Sequence, residues 1–179
     1  MSTITTTPAH ITLSVAGKIA GGASQGPGGW GFVATLHDTE GAPIARHHAC
    51  GPSRFVTTLP RAGMVAAAQG LAFVAGERQA GRWPLHPVTV TTHAELLTKG
   101  MTEWVPKWAA NGWKGNKGKP VENRDLWEAL LAAADGLAVR WQWVRTGTGD
   151  ADMAQALVLA AKAAEEAARK GVILRPDTA

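Results

Sequence analysis

Met64, Ala67, Ala68, Leu71 and Val74 recur at helical spacing between Arg61 and Arg78, and three segments that read as strands precede them. Those segments are Ile11–Val15, Trp30–His37 and Ile44–Cys50, with Gly17–Gly29 read as a small-residue loop. An apolar strand, Pro87–Thr92, follows the helix. Three further helical segments come next: Ala94–Lys99, Met101–Asn111 and Asn123–Asp135. Pro106 fits the second of these only in its first turn, and Asn123 is the expected cap of the third. A fifth strand, Val139–Val144, leads to a final helix capped by Asp150 and ending near Gly171, with Met153, Leu157, Ala160 and Ala164 on one face. This order predicts an α/β fold with a mixed five-stranded sheet flanked by helices.

At 179 residues the chain suits one domain, expected over 11–171, with a flexible lead-in at 1–10 and a tail at 172–179. A hydrophobic content of 45% with 18% charged residues is that of a globular protein. The single cysteine, Cys50, excludes an internal disulfide and suits a cytoplasmic setting. No apolar run reaches membrane-span length, and MSTITTTPAH lacks the pattern of a secretory signal. His47 and His48 point to opposite faces of a strand, so neither they nor Cys50 make a metal site.

Charge is placed unevenly. Lys99, Lys107, Lys114, Lys117, Lys119 and Arg124 face only Glu103 and Glu122 in sequence, a local balance of +4 that equals the net charge of the whole chain. Trp104, Trp108 and Trp113 share that stretch. Acids are distributed just as unevenly: the first is Asp38, none lies between Glu40 and Glu77, and Pro87–His93 has none. The last helix has Asp150 and Asp152 at its start and no other acid until Glu165.

From Val88 to Trp143 the chain resembles bacterial ribonuclease HI. The resemblance rests on VTVTTHAELL, on a Trp-rich handle, and on Trp104, Trp108, Trp113, Lys114, Lys119, Pro120, Asn123, Asp125, Leu126, Trp127, Trp141 and Trp143 at matching positions. GPGGWG at Gly26–Gly31 and Thr57-Thr58-Leu59-Pro60-Arg61-Ala62-Gly63-Met64 extend it, to roughly four-fifths of the chain. It implies a ribonuclease H-like fold with a basic Trp-rich handle. In that family two Mg²⁺ ions, held by carboxylates roughly 4 Å apart, drive hydrolysis. The positions matching those carboxylates hold Ala16, Gly63, His93 and Leu157 here, and the family's mobile His matches Gly147. The basic cluster after the second handle Trp is replaced by Ala109-Ala110-Asn111.

The resemblance and the missing acids together imply a catalytically inactive relative with no metal and no cofactor. It is expected to bind RNA/DNA hybrid or double-stranded RNA by shape and phosphate contacts through Thr58, Trp113, Lys114, Lys117 and Lys119. One alternative is a protein-interaction scaffold without nucleic-acid affinity. Another is an enzyme with different chemistry around His93, paired with Asp150 or Asp152. No membrane partner is expected.

Overall fold

The computed structural model describes residues 8–147 and 149–171. The tail expected at 172–179, and residues 1–7 of the expected lead-in, lie outside the described residues. The strands are β1 (Pro8–Ile19), β2 (Gln25–Gly26), β3 (Gly28–Asp38), β4 (Pro43–Pro52), β5 (Thr57–Thr58), β6 (Val88–Thr92) and β7 (Val139–Trp143). The helices are α1 (Leu59–Gln79), α2 (Glu95–Lys99), α3 (Val105–Ala110), α4 (Arg124–Ala134) and α5 (Ala151–Lys170). Five strands form one mixed sheet, as the sequence pattern predicts, and their order is β4-β3-β1-β6-β7. β1 pairs antiparallel with β3 and parallel with β6, and β6 pairs parallel with β7. β2 and β5 make a separate two-stranded ribbon.

The central strands bury both faces. Ile11, Leu13 and Val15 of β1 join Phe32, Ala34 and Leu36 of β3 in a core shared with Met64, Leu71 and Val74 of α1. On the opposite face Ala16 and Val33 meet Met153, Ala156 and Ala160 of α5. The helices thus cover the sheet from two sides, and each large apolar side chain so buried contributes roughly 1.5–3 kcal/mol.

The segment read as a loop from Gly17 begins as strand instead. β1 continues to Ile19, with Gly17 opposite Trp30 and Ile19 opposite Gly28. Its small residues serve close packing: a Cβ on Gly17 would lie 2.4 Å from the backbone nitrogen of Gly63. The same applies to β3, where a Cβ on Gly31 would meet the Ala156 carbonyl oxygen at 2.7 Å. The alanine-rich face of α5 therefore lies directly on glycine backbone.

Asp150 caps α5 as expected, its Oδ1 accepting from the Met153 amide at 2.8 Å. Asn123 does not cap α4. It sits in the left-handed region at φ 56°, and its side chain accepts from Arg61. Pro106 falls in the first turn of α3, which is preceded by a π-helical turn over Gly100–Trp104 that interrupts the single helix expected there.

At the start of the β1–β3 ladder the rings of His10 and His37 stack with centroids 4.5 Å apart. Burial, reinforced by His37 and His86 and opposed by Asp38, holds His10 below the ordinary histidine pKa. Its folded form therefore binds a proton less readily than the unfolded chain. This contribution to stability is complete above the ordinary value of 6.5 and declines as pH falls through and below it. His10→Gln should flatten the loss of urea midpoint between neutral pH and about pH 5.

Two glycine substitutions should separate packing from helix propensity in urea unfolding. Gly31→Ala forces α5 away from β3 and should cost about 1–3 kcal/mol. Gly76→Ala, in α1 with nothing within 4 Å of the new Cβ, should stabilise by about 0.5–1 kcal/mol.

Candidate nucleic-acid interface

The carboxyl ends of β1 and β6 and the first turns of α1 border a groove that α5 closes from the other side. The cavity there has a volume of about 300 Å³, and Ala16, Gly63, His93 and Leu157 all line it. The four positions singled out on family resemblance are thus brought together. Gly147 lies beyond them, in an adjoining cavity of about 310 Å³ that shares His93 and Leu157 with the first. Ala16 is 6% exposed and packs with Met153 and Ala156, so this part of the wall is apolar core.

His93 follows β6 and is half-buried. Its Nδ1 lies 2.8 Å from the Val144 carbonyl oxygen, which only accepts, so Nδ1 carries the proton and donates. The indole N–H of Trp143 donates to the His93 carbonyl at 3.1 Å, fixing the same strand end. Nε2 is buried without a hydrogen-bond partner, so the imidazole offers the groove a wall and not an exposed lone pair. The pairing of His93 with Asp150 or Asp152 does not form. Asp150 caps α5, while Asp152 accepts from Arg46 at 2.6 Å and from Thr35 at 2.6 Å.

The handle lysines lie together on one folded loop. Lys114 and Pro120 form an antiparallel bridge, and the Gly115 amide donates to the Lys119 carbonyl at 2.7 Å. Asn111 holds the loop's near end through Oδ1 to the Lys114 amide and Nδ2 to the Lys114 carbonyl. Lys117 occupies the tip at φ 56°, and the side chains of Lys114, Lys117 and Lys119 are exposed. Trp113, expected as a nucleic-acid contact, is not fully exposed. It is half-buried against the core, and the Arg124 guanidinium lies 5.5 Å from its ring centroid. Trp104, Trp108 and Trp127 form a tilted series with centroids 5.8 and 5.9 Å apart, and Trp127 is buried.

Arg61, in the first turn of α1, joins groove and handle. It donates to Asn123 Oδ1 at 2.8 Å and, as a fork, to the two Asp125 oxygens at 3.1 and 2.6 Å. Nothing in the spacing of these residues announces the clamp, since 62 positions separate Arg61 from Asn123. Thr58 stands immediately before α1, half-buried and paired with Gln25. Lys18 was also missed: it is exposed at the groove, two residues from Ala16 on a stretch that read as loop.

A mixed sheet in this strand order, with a groove at its strand ends and a basic helical handle beside it, defines a ribonuclease H-like domain. The sequence model of RNase H matches residues 20–165, and the chain belongs to the ribonuclease H family. A curated ribonuclease H from Treponema pallidum is 36% identical over 148 residues, covering 79% of this chain and 83% of its own length. The crystal structure of LC9-RNase H1, a type 1 RNase H with the type 2 active-site motif, superposes with a TM-score of 0.72 at 31% identity, covering 92% of this chain and 75% of that one. LC11-RNase H1 in complex with RNA/DNA hybrid shares the fold at a TM-score of 0.59 and 16% identity, covering 88% of this chain and 99% of that one.

These relatives correct the functional expectation. A curated ribonuclease H this similar over most of both chains points to an active ribonuclease H, so neither the inactive relative nor the interaction scaffold stands as the reading of this protein. Nucleic-acid binding is supported by the family. Among the described residues no helix is long and apolar enough to cross a membrane.

The two Mg²⁺ ions implied by the family do not fit the residues lining the groove. The polar side chains there are Lys18, Thr92, His93 and Thr146, with no carboxylate among them. Among the described residues no group of three or more His, Cys, Asp or Glu is placed to hold a metal ion.

Arg61→Met keeps the aliphatic bulk and removes the fork. It should cost about 1–3 kcal/mol in urea unfolding, because Asn123 and Asp125 lose their donors. An unchanged midpoint would mean that the fork does not hold α1 to α4.

Proposed function

We propose that the protein acts on the RNA strand of an RNA/DNA hybrid. Family membership over residues 20–165 carries this reading, and the hybrid bound by LC11-RNase H1 makes that duplex the first substrate to try. Lys114, Lys117 and Lys119 contact phosphates as point charges on the exposed handle loop. Thr58 contributes a hydroxyl beside the groove. Trp113 acts by holding the loop's shape and by seating Arg124, its ring being half-covered. The Arg61 clamp keeps the handle and the first turn of α1 in one register, so a duplex meets both together. The exposed, unpaired Cys50 is compatible with work in a reducing cytoplasm.

Labelled hybrid, duplex RNA and duplex DNA, each titrated with salt and then resolved on a denaturing gel, test this directly. The expected result is preferential hybrid binding that weakens steeply with salt, and shortened RNA. Intact RNA on saturated protein overturns action on the RNA strand, and no hybrid binding at low salt overturns the hybrid itself. Replacing Lys114, Lys117 and Lys119 by Ala should make the slope of log affinity against log salt shallower by about 2–3, at about 0.9 per phosphate contact.

A further inference from the structure

The mismatch between the groove and a pair of divalent cations has a positive counterpart in the residues that are present. Lys18 is exposed where β1 reaches the groove. Among the described residues no carboxylate forms an ion pair with it. The chain has no acid before Asp38 and none between Glu40 and Glu77, so neither β1 nor the groove end of α1 supplies a compensating negative charge. Of the remaining walls, Ala16, Gly63 and Leu157 are apolar or lack a side chain, Thr92 and Thr146 are neutral hydroxyls, and His93 turns its protonated nitrogen to Val144. An uncompensated ammonium at the edge of an uncharged cavity is complementary to an anion. It gives a divalent cation no oxygen cage and repels it electrostatically.

We propose that the groove seats a backbone phosphate of the nucleic acid directly against Lys18, without a bridging divalent cation. This rests on the hybrid reading above. A phosphodiester is the anion a duplex brings to a groove at the strand ends, and it carries one full charge at neutral pH. In a carboxylate-lined groove that charge meets repulsion unless cations intervene. Here no carboxylate lines the cavity, the nearest being Asp150 in the adjoining one, where it caps α5, so the ammonium takes the part that cations play there. The seat is also spacious at Gly63, where a Cβ would meet no heavy atom within 4 Å.

The experiment has two arms. In the first, hybrid affinity is measured by fluorescence anisotropy in EDTA and in Mg²⁺ at matched ionic strength. Affinity should be the same or higher in EDTA. Lys18→Ala should weaken it about three- to tenfold and flatten the salt slope by about one contact, with Lys18→Arg restoring both. Gly63→Glu, whose Cβ would meet no heavy atom within 4 Å and which adds a carboxylate, should weaken binding in EDTA. In the second arm Mn²⁺ is titrated into the protein alone and followed by electron paramagnetic resonance. No saturable site should appear at millimolar concentration, whereas Gly63→Glu combined with Ala16→Asp should begin to show one. A saturable Mn²⁺ site in the natural sequence, or Lys18→Ala with unchanged affinity and slope, overturns this inference and leaves the hybrid reading standing. Failure of the natural protein to bind hybrid at low salt overturns both.

Discussion

Backbone meeting backbone across glycine is the contact on which the rest of the molecule depends. Gly29 and Gly31 let α5 lie on β3 with no intervening side chains, and Gly17 does the same for α1 on β1. Side-chain-free contact sets helices closer to the sheet than leucine or valine allows, and dense packing leaves little room for drift. The groove is a geometric result of this. Its floor is the strip where β1, α1 and α5 converge, so Ala16, Gly63 and Leu157 meet there because two helices have been drawn down onto adjacent strands.

That geometry also fixes the electrostatics. A floor made of close-packed small residues has no polar partners to offer a buried charge, which makes ionised groups costly unless they are compensated. The chain meets this with an uncharged floor and its charges at the edge. Of the acids near the groove residues in sequence, Glu95 pairs with Lys99, and Asp150 and Asp152 are held by the α5 cap and by Arg46 with Thr35. The cationic groups, Lys18 and the handle lysines, stay in solvent. The result is a groove edge and a handle loop whose lysines suit a polyanion.

Much of the fold was legible because period and order carry it. Five strands, a long first helix and an Asp150-capped last helix follow from apolar spacing and cap chemistry, and the mixed sheet follows from their order. What escaped has a common cause in long-range contact. Gly17 read as loop because glycine is a poor strand former in isolation, yet here it is required by Gly63 across the layer. Asn123 read as a cap by residue type, but Arg61 takes its oxygen. Trp113 read as a contact residue, but Arg124 lies over its ring and the core half-buries it. The site was legible as a set of positions, since four residues drawn from four elements do line one cavity. The role of Lys18 was not, because a lysine in an apparent loop carries no signal until the strand is seen to continue.

Inactivity was argued from ligands that the sequence lacks, a step that treats one arrangement of donors as the definition of a reaction. Overall similarity weighs differently, because it records the scaffold that positions the substrate as well as the donors. In this chain the scaffold is continuous: Arg61 binds α4 two residues before Gly63 lines the groove, so handle and groove share the first turn of α1. On the proposed reading, a duplex held by the handle lysines would therefore be presented to the groove at a fixed height. That shared turn couples handle to groove within residues 20–165, the stretch over which the chain matches its family.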